Sequence, residues 1–89
     1  MLIKIVSAKA AGGTRVRVAF SDGSHGLYDL AHLIERDGSM VKPLRDPAFF
    51  ARVFVESGAI CWPNGLDLSP AAVHRELSEA GALRQPSPA

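Results

Sequence analysis

Three histidines, His25, His32 and His74, and one cysteine, Cys61, are the residues of this 89-residue chain whose types suit metal ligation or nucleophilic catalysis. A metal site needs ligands at a spacing that one turn or helix can present, such as Cys-x-x-Cys or His-x-x-x-His, and no two of these residues stand so. A nucleophilic Cys61 requires a base and an oxyanion site; between Ile60 and Trp62, in a run of strand formers, it reads as a buried, inert thiol. Asp22, Asp29, Asp46 and Asp67 are candidates for paired acids, but the first three stand where a turn or a helix start uses a carboxylate. Gly12-Gly13 precedes a strand pattern, whereas a phosphate loop needs a helix N-terminus behind its glycines. The chain is therefore expected to be non-enzymatic, with no catalytic residue, metal or cofactor.

Two constellations remain as binding surfaces. Trp62-Pro63-Asn64-Gly65-Leu66-Asp67-Leu68 concentrates a large aromatic donor, a proline, an Asn-Gly turn signal and a carboxylate just before a helix start. Trp62, Pro63, Asn64, Gly65 and Asp67 are then either a partner-binding edge or scaffolding, with Trp62 in the core and the polar groups satisfying loop N–H groups. The alternative is a nucleic-acid surface of Arg15 and Arg17, which point the same way on one strand, with Tyr28 stacking near them.

These residues need elements to position them. Leu2 to Ala10 is apolar and β-branched, with Ile3 and Ile5 on one face and Leu2, Lys4 and Val6 on the other. Thr14 to Phe20 alternates cleanly, placing Val16, Val18 and Phe20 inward and Arg15 and Arg17 outward. Asp22-Gly23 suits a two-residue type I′ turn, which sets Phe20 opposite His25, Val18 opposite Leu27 and Arg17 opposite Tyr28. Leu30, Leu33 and Ile34 change the period to a helix over 30–36 that Asp29 caps and Asp37-Gly38 ends. Asp46-Pro47 and Ser69-Pro70 are cap-then-proline starts of helices over 47–51 and 70–80, the last carrying Val73 and Leu77 and stopped by Gly81. Val53 to Val55 and Ala59 to Trp62 form a second hairpin with Gly58 in its loop. The expected fold is α+β: a mostly antiparallel sheet of about five short strands, built as an N-terminal three-stranded meander plus a later hairpin, with short helices on one face. Neither the first strand nor the Ala59 to Trp62 strand carries the prolines or dense charge that block edge pairing, so a homodimer or a strand-pairing partner is expected.

The length fits one domain over 1–80, with the Pro-rich 81–89 segment as a disordered tail. At 47% hydrophobic and 21% charged residues the chain is of globular type, and ten basic against nine acidic residues give a net charge of +1. That is too little for affinity built on neutralising many phosphates. One cysteine precludes an internal disulfide, the start lacks a charged segment before a long apolar run, and no stretch of membrane-spanning length is apolar. A cytoplasmic location without membrane association follows as the expectation.

Val18-Ala19-Phe20-Ser21-Asp22-Gly23, then Tyr28-Asp29-Leu30, Leu44-Arg45-Asp46-Pro47 with Phe50, and Ile60-Cys61 leading into the tryptophan-proline motif together resemble the bacterial domain of unknown function 2442 family (DUF2442), over roughly residues 2 to 75. The resemblance implies a small α+β domain and supplies no catalytic residues. Genes of such proteins often stand beside short toxin-like proteins, which implies an antitoxin-like protein-binding role with a small toxin-like partner encoded nearby. Some relatives append a helix-turn-helix, which implies the alternative of a dimeric DNA-binding autoregulator. This chain has one helix and a Pro-rich tail at the corresponding place.

Overall fold

Val16, Val18 and Phe20 alternate with Arg15, Arg17 and Ala19, and that pattern becomes β2 (Arg15–Phe20), flanked by β1 (Ile5–Ala10) and β3 (His25–Asp29) in an antiparallel sheet. A computed structural model describes residues 2–36 and 38–86. In β1, Ile5 pairs with Phe20 but Ser7 pairs with Ala19. This bulge passes the inward position from odd to even residues, from Ile5 to Ala8 and Ala10.

The β2–β3 hairpin corrects the sequence-based register by one residue. Ala19 pairs with His25, Val18 with Gly26, Arg17 with Leu27 and Val16 with Tyr28. The loop holds Ser21, Asp22 and Gly23: Phe20 N–H donates to Ser24 O at 2.8 Å, Gly23 N–H donates to Phe20 O at 3.0 Å, and Gly23 has φ 88°. This is a type I turn closed by a left-handed glycine, not a type I′ turn. The Asp22 carboxylate fixes it by accepting from Ser24 N–H at 2.9 Å and from the Ser24 hydroxyl. A slip of one residue exchanges the faces of the whole strand, so Tyr28 turns into the core and Leu27 turns out.

The second sheet is β4 (Phe54–Glu56), β5 (Ala59–Cys61) and β6 (Asp67–Leu68), antiparallel and in that order. Among the described residues the strands are thus six in two sheets, where one sheet of about five was expected, because the motif turns the chain back to pair Leu68 with Ile60. β5 is consequently central and not an open edge, as the sequence suggested. The type I′ turn of this protein is Ser57-Gly58, at φ 52° and 80°, between the paired Glu56 and Ala59.

Three helices, α1 (Ala31–Ile34), α2 (Pro47–Phe50) and α3 (Pro70–Glu79), are joined by a 3₁₀ turn over Lys42–Arg45 that the sequence did not announce and that buries Leu44. Asp29 accepts from Ala31 N–H at 2.9 Å, Asp46 from Ala48 N–H at 3.0 Å, and Ser69 Oγ from Ala72 N–H at 3.3 Å. α1 ends early at Ile34; Asp37, half of its expected stop signal, lies outside the described residues. α3 ends as its sequence predicts, with Gly81 at φ 69°, Gly81 N–H on Ser78 O and Ala82 N–H on Leu77 O.

Residues 82–86 of the segment read as tail return along β3, where His25 and Arg84 exchange backbone hydrogen bonds of 2.9 and 2.7 Å. Residues 87–89 lie outside the described residues. The core joins Ile5, Val16, Val18, Phe20 and Tyr28 of the first sheet to Ile60 and Trp62, with Leu44, Phe50, Val73 and Leu77 from the helical segments. Among the described residues no helix is long and apolar enough to cross a membrane.

Candidate functional site

The tryptophan-proline motif is the loop between β5 and β6, and it repeats the geometry of the first hairpin. Trp62 N–H donates to Leu66 O at 3.0 Å, Gly65 N–H donates to Trp62 O at 3.0 Å, and Gly65 has φ 92°. Asn64 takes the place that Asp22 has in the other loop, its Oδ1 accepting from Leu66 N–H at 3.2 Å. Its Nδ2 also donates to Met40 O at 2.9 Å, tying the loop to the connector before the 3₁₀ turn. Trp62 is buried, donates from its indole to Phe50 O at 3.1 Å and packs on the Phe50 ring at a centroid distance of 5.8 Å. Pro63, Gly65 and Asp67 are exposed. The cap of α3 comes from Ser69 and not from Asp67. The structure thus gives Trp62 and Asn64 a positioning duty and leaves Pro63, Gly65 and Asp67 facing outward.

The alternative set is divided by the register. Arg15 and Arg17 lie on the outer face of the first sheet, but Tyr28 is only 6% exposed on the opposite face. There its hydroxyl donates to Glu76 Oε2 at 3.1 Å, and His32 Nε2 stands 3.5 Å from Glu76 Oε1. Tyr28, His32 and Glu76 share the wall of an open cleft of about 310 Å³ between β3 and α3. Burial, and then the Glu76 carboxylate, push the Tyr28 phenol up to about 12, which keeps it a neutral donor and unsuited to act as a base near neutral pH. The grouping of Glu76 with Tyr28 and His32 escaped the sequence reading because it depends on which face of β3 turns inward.

His74 Nε2 lies 3.2 Å from Asp22 Oδ2, while Ser24 donates to the same carboxylate. In a hydrolase triad the imidazole stands between hydroxyl and carboxylate; here the carboxylate stands between the other two, so the cluster locks the turn against α3 and activates no nucleophile. The hydrogen bonds from the Ser24 hydroxyl and amide hold the Asp22 carboxyl below its usual range, and the Thr14 hydroxyl and Ala31 amide do the same for Asp29. Cys61 is buried, and burial together with the Glu56 and Asp67 carboxylates pushes its thiol up, away from reactivity.

A family model described as a protein of unknown function (DUF2442) matches residues 5–77. No curated protein and no solved structure matches the chain. The match spans the first sheet, the motif and most of α3, and the chain belongs to the DUF2442 family.

Proposed function

From membership of a family without assigned activity and from the open edge of the first sheet, we propose that the chain is a non-enzymatic protein-binding module that takes a partner strand along β1. The carrying observation is that no strand is hydrogen-bonded to β1 on the side away from β2, although the β4–β5 hairpin approaches β1 at Ile5. The Ile5 N–H is covered, donating to Gly58 O at 2.8 Å. Beyond it, the alternation that aims Ala11 N–H at Arg15 O aims the backbone of Ala8 and Ala10 outward. Leu2 and Val6 are 84% and 62% exposed beside that edge. Within Ile5–Ala10, Lys9 is the single charge and there is no proline, so nothing in the strand blocks pairing. A partner adding a strand there would gain main-chain hydrogen bonds and bury Val6.

A second copy of the chain fits the edge as a symmetric dimer, and the small toxin-like neighbour implied by the family resemblance is the hetero-partner of the same kind. DNA binding is the weaker reading, because it keeps Arg15 and Arg17 but loses Tyr28 to the core. Light scattering at micromolar concentration, alone and after coexpression with the neighbouring small open reading frame, tests the proposal. A dimer or a stoichiometric complex is expected, and Val6→Lys or Ala8→Pro should dissolve it while the melting temperature stays near that of the parent. A strict monomer that ignores the coexpressed neighbour overturns the proposal.

A further inference from the structure

The outer face of the first sheet concentrates positive charge. Cross-strand partners share a face, so Lys9 stands beside Arg17, and Arg15 follows on the same side of β2. His25 and, through its backbone bridge to His25, Arg84 extend the row past β3. Lys9, Arg15, Arg17 and Arg84 are four of the chain's ten cations, on a molecule with a net charge of +1. Asp29, the cross-strand partner of Arg15, sets one negative charge on this face and accepts from Thr14 Oγ1 at 2.6 Å and from Ala31 N–H at 2.9 Å.

Arg17, His25 and Arg84 do more than share a face: they frame one open cleft of about 330 Å³ whose floor is Gly26, Leu27 and Ala82. Its shape rests on Gly26, since a Cβ there would stand 2.8 Å from Ala82 O and push the returning segment, with Arg84, off the sheet. Arg17 and Arg84 line it from different elements, β2 and the returning segment, so the cleft has a cationic residue on two sides.

We propose that this cleft binds a small phosphomonoester, its phosphate held between Arg17 and Arg84 with His25 beside it, and its organic part resting on Leu27 and Ala82. A dianion matches two guanidiniums, whose planar forks suit phosphate oxygens, and the apolar floor matches an organic body. A single-stranded nucleic acid fits less well. Its bases need broad stacking platforms, and Tyr28 is on the buried side, which leaves the His25 ring as the aromatic that lines the cleft.

Amide and arginine side-chain NMR shifts of the full chain, titrated with phenyl phosphate at constant ionic strength, test the site. Saturable shifts at Gly26, Leu27 and the Nε groups of Arg17 and Arg84 are expected, with inorganic phosphate binding the same residues more weakly. Arg17→Gln and Arg84→Gln should each weaken binding by about tenfold or more, the scale of one lost charge-assisted contact. Arg52→Gln, an exposed arginine after α2, should leave it unchanged. Shifts reproduced by sodium chloride, equal losses in the Arg52 variant, or binding of single-stranded DNA where phenyl phosphate fails would each overturn the proposal.

Discussion

Asn64→Ala and Asp67→Ala separate the two duties that the tryptophan-proline motif combines. Asn64 makes two hydrogen bonds, Nδ2 to Met40 O and Oδ1 from Leu66 N–H, at 2.9 and 3.2 Å. Each intramolecular hydrogen bond contributes about 0.5–1.5 kcal/mol net, and the half-buried setting of Asn64 lets water replace part of the loss, so Asn64→Ala should cost about 1–2 kcal/mol. In a domain of this size that lowers the melting temperature by roughly 5–10 °C. Asp67 pairs with Cys61 through its backbone and turns its side chain to solvent, so Asp67→Ala should stay within about 0.5 kcal/mol. Thermal melts followed by circular dichroism, checked by urea midpoints, give both numbers. An Asp67→Ala loss as large as that of Asn64→Ala would refute the assignment of the turn's stability to the asparagine. The pairing proposed along β1 supplies the second readout: Asp67→Ala should leave it intact, and Asn64→Ala should weaken it only as far as it unfolds the chain.

Phe20 is buried and meets the His74 ring edge-on at 4.8 Å, so Phe20→Ala should cost about 3–5 kcal/mol in denaturant midpoints, against less than about 1 kcal/mol for exposed Arg17→Ala; equal effects would mean that β2 faces the other way. Gly23→Val should destabilise by at least about 1 kcal/mol, because φ 88° disfavours a β-branched residue and its Cβ would stand 3.2 Å from the Pro86 ring; a variant as stable as the parent would sink the three-residue loop. Tyr28 is the single tyrosine, so absorbance near 295 nm reads it alone: ionisation is expected at about 12, raised from the usual 10 by burial and Glu76, and a midpoint at 10 would contradict its burial. Since the folded value is the higher one, the stability it contributes is present below pH 10 and lost as pH rises through about 12.

What the sequence made legible is what local chemistry decides alone. Val16, Val18 and Phe20 needed only the period of two, and the starts at Asp46-Pro47 and Ser69-Pro70 needed only a side-chain acceptor and a fixed φ. The first turn was not legible in this way. Asp22-Gly23 satisfies a two-residue loop with both residues at positive φ, and equally a three-residue loop with glycine last. The choice falls to the Asp22 side chain reaching Ser24, and to a core that takes Tyr28 in place of Leu27. Ser57-Gly58, which carries no such strong dipeptide signal, makes the two-residue turn because Glu56 and Ala59 must pair across it.

That single residue of register rearranges the candidate surfaces. With Tyr28 inward, the aromatic leaves Arg15 and Arg17, and its hydroxyl finds Glu76, bringing α3 and His32 to β3. With Leu27 outward, a half-exposed apolar side chain lies between Arg17 and the returning Arg84, so a row of cations acquires an apolar floor. The motif undergoes the corresponding change: Asn64, in the loop position that Asp22 fills, is drawn into holding the turn, and β6 forms behind it and covers β5. Both β1 and β3 remain edges of the first sheet: the His25–Arg84 bridge occupies part of the β3 edge, and the β4–β5 turn at Gly58 reaches β1 only at Ile5, leaving the backbone of Ala8 and Ala10 without a paired strand. The proposed pairing on β1 and the proposed phosphate site beyond β3 therefore lie at opposite edges of one sheet, so substitutions should remove either without the other.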